Sequence, residues 1–438
     1  MKAVLKKALI FTLALACVLS ALVSCDKTVP NTDEVPNEQT NPTPETPVTE
    51  DPKVLTDFER YVSNTSAATG HNWMLTSQSS VTETFRAIYK VQEAGQFDYK
   101  FFFSNNVNST NNDCPGSYRE MPTQPYVIES ARVGTTSREN DTRALKTIGT
   151  GQNLSFSGQA SRSVEPKECF WSDAISINVP QNQYLIFEWT VTYTAIPATE
   201  IGTTMRGLKQ NANNSMFSET RSVPMPDLIG CDRGVKVRVG FIGDSITMGA
   251  FSGATTSSKA TYEFWAAKVA EGLGNDASVW NLGLGYARGD DAANSESWLY
   301  KAKQCDVVGI CFGVNDINSG VYGSSNPVTA QDLVEDVSKI ASELEAAGVK
   351  VIIFSTPPYT FNTDNKFEIW RQACAGLKEL AEQKGYDFFD IAAHLGKEDA
   401  PHLPAYGHNP NDGHPNNVGC AKVAEAFLAA NLIKIPED

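Results

Sequence analysis

The stretch GFIGDSITMG, Gly240 to Gly249, sets Ser245 directly behind a carboxylate at the end of a strand-like run. A serine hydroxyl is a poor nucleophile until a neighbouring base takes its proton. The base candidate is His414, in NPNDGHPNNVG (Asn409 to Gly419), because imidazole titrates near neutral pH. Attack on an ester carbonyl creates an oxyanion, which needs preorganised hydrogen-bond donors. Asn315, in Gly313-Val314-Asn315-Asp316, carries an amide that donates without bearing charge. The backbone N–H of Ser245 and one from NLGLGYARGD (Asn281 to Asp290) can supply two more. The chemistry these residues could perform together is acyl transfer.

Such residues need a rigid support. From Gly234 onward, short apolar runs alternate with helical patterns. Strands are expected over Val235–Ile242, Ser278–Leu282, Val307–Phe312, Val349–Ser355 and Tyr386–Ile391. Helices are expected over Tyr262–Leu273, Glu296–Gln304, Ala330–Ala347, Glu368–Lys384 and Val418–Asn431. This alternation predicts an α/β fold with a parallel sheet covered on both faces, of the flavodoxin-like kind. Ligands of such sheets bind outside the carboxyl ends of the strands, where Ser245 falls. The Leu333, Val337, Ile340, Leu344 spacing is a helical stripe expected to face the core. From about Leu55 to Asp232, runs such as FDYKFFFSN and YLIFEWTVTYTAI are separated by Asn, Gly, Ser and Pro clusters. They predict an all-β sandwich, jelly-roll-like.

Read in order, Gly243-Asp244-Ser245, NLGLGYARGD, Gly313-Val314-Asn315-Asp316 and NPNDGHPNNVG resemble the four sequence blocks of the SGNH, or GDSL-type, hydrolase family. The resemblance covers Val235 to roughly Leu432. It implies a serine esterase with Ser245 as nucleophile, His414 as base, and Ser245, Asn315 and a second-block residue as oxyanion donors. Two departures stand out. The family usually has glycine five residues after the second-block asparagine, where this chain has Tyr286; Gly285, just before it, is taken as the donor. The family's acid lies three residues before the histidine, where this chain has Asn411; Asp412 is two before. Either Asp412 completes a triad, or a backbone carbonyl orients His414 in a dyad. GLGYARG is one residue too long for a dinucleotide loop and follows the second strand, so no cofactor is expected. No metal-ligating set is expected either. The pattern FDYKFFFSN, NLSFSG, then Ser172-Asp173 is similar to the β-domain preceding the catalytic domain in some secreted GDSL-type hydrolases. By the family resemblance, the expected substrate is an ester, most readily an O-acetyl group on carbohydrate. A lipid-directed esterase and an inactive glycan-binding lipoprotein are the alternatives.

The chain of 438 residues carries a formal net charge of −15, which argues against a nucleic-acid partner. MKAVLKKALIFTLALACVLSALVSC opens with Lys2, Lys6 and Lys7, runs apolar, and ends at Cys25. It reads as a signal segment over 1–24, with an ending that resembles a bacterial lipobox and makes Cys25 the lipidated residue. Asp26 to Lys53 holds six prolines and seven acids, too little to bury, and reads as a disordered tether within 25–54. The β-sandwich is expected over 55–232 and the hydrolase domain over 233–438. The expected location is the bacterial cell envelope, with membrane contact only through the anchor. Cys305, Cys311, Cys374 and Cys420 sit in apolar patterns and are expected as free core residues; Cys114 and Cys169 could pair.

Overall fold

Five short apolar runs of the C-terminal half form one sheet. The structure, a computed structural model, describes residues 55–108, 123–200, 206–220, 222–252, 262–318, 328–361, 363–405 and 413–437. The strands of this sheet are β1 (Val237–Gly243), β2 (Ala277–Gly283), β3 (Val307–Cys311), β4 (Lys350–Phe354) and β5 (Asp387–Phe389). They lie in the order β2-β1-β3-β4-β5, and every pairing is parallel. The order reverses beside β1, and a crevice forms at the carboxyl ends of a sheet at such a point.

Both faces are buried, so the strands read as continuous apolar runs rather than alternating ones. Val239 and Phe241 of β1 belong to a core with Trp265, Phe354 and Phe427. Ile242, their neighbour, belongs to the opposite core with Ile310, Trp298, Leu333 and Leu377. Helices Trp265–Leu273 and Asn417–Ala430 supply the first core; Glu296–Ala302, Ala330–Ala346 and Asp364–Lys384 supply the second. A capping box of Thr329 and Asp332 starts helix Ala330–Ala346, and Leu333, Val337, Ile340 and Leu344 are all buried.

The helix expected from Tyr262 begins at Trp265, because Tyr262 has a left-handed backbone (φ 63°) that a helix cannot hold. The helix expected from Glu368 begins four residues earlier, at Asp364, where Asp364-Asn365-Lys366 carries no apolar periodicity to signal it. Cys305, Cys311 and Cys420 are buried free thiols and Cys374 is half-buried; Cys114 lies outside the described residues.

The N-terminal half is mostly antiparallel sheet. One sheet contains strands Gly95–Ser104 and Leu228–Cys231; the other is built on Trp73–Lys90, Tyr126–Thr136 and Tyr184–Glu200. Their inner faces meet through aromatic side chains, with Phe101 5.3 Å from Phe187 and Phe103 5.5 Å from Trp189 between ring centroids. Helix Asp57–Arg60 precedes the strands and helix Leu145–Ile148 lies between two of them; both are too short to show a helical period in sequence.

Residues 54–438 form one compact unit, joined by polar groups as well as apolar ones. Lys301 Nζ, on helix Glu296–Ala302, donates to Asp227 Oδ1 at 2.7 Å and to Asn108 Oδ1 at 2.9 Å. Asp227 Oδ2 accepts from Ser104 N at 2.7 Å and Ser104 Oγ at 2.9 Å. Trp280 Nε1, from β2, donates to the Asp227 carbonyl at 3.0 Å. Gln92 Nε2 reaches the Ala277 carbonyl at 2.9 Å.

Candidate functional site

β1 ends at Gly243, and the chain turns at once into helix Ser245–Met248. Asp244 caps that helix, its carboxylate accepting from Ile246 N at 2.8 Å. Burial pushes the Asp244 carboxyl up to about 6, against the opposing effect of that N–H bond. The turn sits directly on the strand ends, which only glycine allows. A Cβ on Gly243 would lie 2.2 Å from Thr247 Oγ1, and one on Gly283 would lie 2.3 Å from Met248 N. Asn281 then ties the turn to β2: its Nδ2 donates to the Thr247 carbonyl at 3.0 Å, and its Oδ1 accepts from Gly283 N at 2.9 Å. Ser245 is thereby held at the sheet edge, half-buried.

His414 arrives from the far end of the chain. Asn416 caps helix Asn417–Ala430, its side chain accepting from Val418 N at 3.0 Å and Gly419 N at 3.2 Å. This fixes the residues just before the helix. His414 Nε2 lies 2.8 Å from Ser245 Oγ across 169 residues of sequence. The His414 ring has two aromatic neighbours, Phe251 at 5.2 Å and Tyr359 at 6.3 Å between centroids. A hydroxyl and an imidazole nitrogen at this distance can exchange a proton.

Asn315 lies in helix Val314–Ile317, directly after β3. Its Nδ2 donates to the Ala287 carbonyl at 3.0 Å, and the residue is 5% exposed. That bond fixes the amide, whose nitrogen carries two protons. The next residue makes a second tie between the same loops: Asp316 Oδ1 accepts from Gly289 N at 2.8 Å. Burial pushes the Asp316 carboxyl up to about 8, despite that bond. The loop after β2 is therefore clamped to the loop after β3 at two points.

Within the β2 loop, two backbone features fall on neighbouring residues. The left-handed backbone falls on Tyr286 (φ 67°). Gly285 meets a close approach instead, because a Cβ there would lie 2.8 Å from Asn72 Nδ2. Asn72 comes from the N-terminal half, is 1% exposed, and donates to the Gly285 carbonyl at 3.4 Å. Nothing in the sequence pointed to Asn72, since the pair is 213 residues apart.

Asp412, Asn411 and Cys25 lie outside the described residues, as does His408. The other histidines serve elsewhere. His71 is buried between the carbonyls of Asn106 (3.2 Å) and Met225 (3.0 Å). His394 stacks on Phe389, and burial lowers its pKa; His402 packs on Phe367. Among the described residues, no group of three His, Cys, Asp or Glu side chains could hold a metal ion, and no helix is long and apolar enough to cross a membrane.

Residues 241–422 match the family model described as GDSL-like Lipase/Acylhydrolase family, in line with the resemblance of the four blocks. Among solved structures, the chain is similar to an acetyl xylan esterase from Geobacillus stearothermophilus (21% identity, 47% of this chain and 99% of that one, TM-score 0.37). It is also similar to an alpha/beta hydrolase enzyme from the metagenome of Lake Arreo, Spain (17% identity, 46% and 98%, TM-score 0.36). No protein of curated function matches the chain.

Proposed function

Residues 241–422 carry the GDSL-like lipase/acylhydrolase domain of an ester hydrolase, and from that premise we propose a serine esterase that removes O-acetyl groups from carbohydrate. The observation that carries the mechanism is the 2.8 Å approach of Ser245 Oγ to His414 Nε2 at the end of β1. His414 Nε2 takes the Ser245 proton as Oγ bonds to the ester carbon. The negative charge collects on the former carbonyl oxygen, which accepts from the Asn315 amide and from backbone N–H groups of Ser245 and the β2 loop, Gly285 in our reading. Collapse of the adduct breaks the bond to the alcohol oxygen, which takes the proton from His414. Water then repeats the sequence on the acyl-serine and releases the acid. No cofactor enters this scheme.

Three features of the sequence support carbohydrate as the alcohol. Beyond the N-terminal segment, the sequence has no long apolar run that would suit a lid over lipid. Its N-terminal half resembles the β-domain of secreted relatives. Its proposed export on an acidic, Pro-rich tether suits extracellular glycan. In the same reading the parallel sheet is flavodoxin-like and the two antiparallel sheets form a jelly-roll-like sandwich. Cys25 anchors the protein in the cell envelope, which mass spectrometry of the native N-terminus checks: acyl chains on Cys25 support it, an unmodified start beyond Cys25 refutes it. The substrate test is a panel of acetylated polysaccharides beside long-chain acyl esters. Preference for the long chains makes this a lipid esterase, and no turnover of any ester leaves only glycan binding.

Asn315→Ala lowers kcat by roughly 10²–10³ with KM little changed, the usual effect of removing one oxyanion donor. A change confined to KM would assign Asn315 to substrate binding instead. The acceptor behind His414 is Asp412 in our reading, because a carboxylate stabilises the imidazolium that forms during attack and the neutral Asn411 does not. Asp412→Ala then costs about two decades or more in kcat, and Asn411→Ala little. Near-full activity of Asp412→Ala at neutral pH would mean a Ser245–His414 dyad.

A further inference from the structure

The proposed mechanism fixes which side of Ser245 each half of the ester occupies. The carbonyl oxygen turns toward Asn315 and the β2 loop. The alcohol oxygen must lie within reach of His414 Nε2, because that nitrogen returns the proton it took from Ser245. The alcohol half of the ester therefore sits beside the His414 ring. Two aromatic side chains stand there. Phe251 lies 5.2 Å from the imidazole at 61° between planes, and Tyr359 lies 6.3 Å away at 84°. Both are half-buried, so each keeps part of its surface open.

The two rings come from different loops, each fixed by its own contacts. Phe251 follows the nucleophile helix and holds a left-handed backbone (φ 56°), a conformation a bulky residue keeps only where its surroundings impose it. The next residue braces that loop, with Ser252 Oγ donating to the Gly249 carbonyl at 2.9 Å. Tyr359 follows β4, packs on Phe361 at 5.8 Å, and lies so close to Gly413 that a Cβ there would be 3.0 Å from the ring. Catalysis by Ser245 and His414 does not by itself call for aromatic side chains here. Aromatic walls with a few polar groups are the usual lining of a small-molecule site.

Resting on the acyl-serine reading above, we infer that Phe251 and Tyr359 form the subsite for the alcohol half of the ester and select a ring-shaped alcohol. The apolar C–H face of a pyranose or a cyclohexyl ring packs against them.

The test compares three acetates that share an acyl group and differ in alcohol: ethyl acetate, cyclohexyl acetate and a mono-O-acetylated methyl xylopyranoside. All three pass through the same acetyl-serine, so differences in kcat/KM report the alcohol. Phe251→Ala and Tyr359→Ala lower the cyclohexyl-to-ethyl ratio of kcat/KM by about tenfold or more. Tyr359→Phe, which keeps the ring, holds the ratio within about twofold of wild type. All esters are assayed on one preparation, so the ratio does not depend on how much of a variant folds. An equal fall on both acetates would mean the rings only hold His414, and would overturn the subsite. An unchanged ratio without any loss would overturn it too. If the wild type cleaves cyclohexyl acetate with the expected ring dependence but ignores the pyranoside, the subsite stands and the carbohydrate reading fails.

Discussion

Ser245→Ala removes ester hydrolysis, lowering kcat by roughly 10⁴-fold or more, while thermal unfolding stays within a degree or two of wild type. In the proposed mechanism the loss is large because Ser245 carries the acyl intermediate, and His414 without that hydroxyl has only water to activate. The fold is expected to hold because Oγ bonds His414 rather than the groups that hold the turn. The turn is held by Asp244, Asn281 and the close-packed glycines, through Ile246 N, the Thr247 carbonyl and Gly283 N. Retention of more than about a tenth of wild-type kcat would remove Ser245 from the mechanism. Labelling of a different serine by an organophosphonate ester would do the same.

The second large effect is on stability. Asp227→Ala destabilises the protein by about 3–5 kcal/mol, the usual cost of removing one partner from a buried ion pair. The Lys301 side chain is 2% exposed and that of Asp227 is 0% exposed, so the stranded ammonium cannot reach water. Ser104 loses the acceptor of both its N–H and its hydroxyl at the same time. Chemical denaturation measures the change directly. The double variant Asp227→Asn with Lys301→Met is expected to recover most of the loss, because it buries an amide and an apolar chain in place of an unpaired charge. A cost below about 1 kcal/mol for Asp227→Ala would show that the pair adds nothing to folding.

The parts of this site legible in sequence are those whose signal is local. The run into Ser245 announces a strand end within a few residues, and β1 closes at Gly243, beside the expected Ile242. The Leu333 stripe announces helix Ala330–Ala346 to within one residue at its end. Gly-Val-Asn-Asp lands on the short helix after β3 because glycine and asparagine belong in such turns. What stayed hidden has no local signature. Asn72 meets Gly285 and Asp227 meets Lys301 only after the two halves pack together, and neither residue type hints at a distant partner. The left-handed turn at Tyr286 was hidden for the opposite reason. Tyrosine is among the residues least expected there, so a pattern search favours the adjacent Gly285.

The polar seam between the halves also says what a severed chain would do. Cut between Asp232 and Arg233, the first piece keeps Asp227, Asn108 and Gln92. The second keeps Lys301, Trp280 and the Ala277 carbonyl, their partners. Arg233 itself would leave with the second piece while its guanidinium still bonds the Ser63 carbonyl and Gln92 of the first, at 3.1 and 3.0 Å. Each fragment would expose at the seam groups whose partners lie on the other, with Asp227 on the first piece and Lys301 on the second as the complementary charges. Such a pair is expected to reassociate on mixing, and co-elution of the two pieces in size-exclusion chromatography is the measurement that checks it.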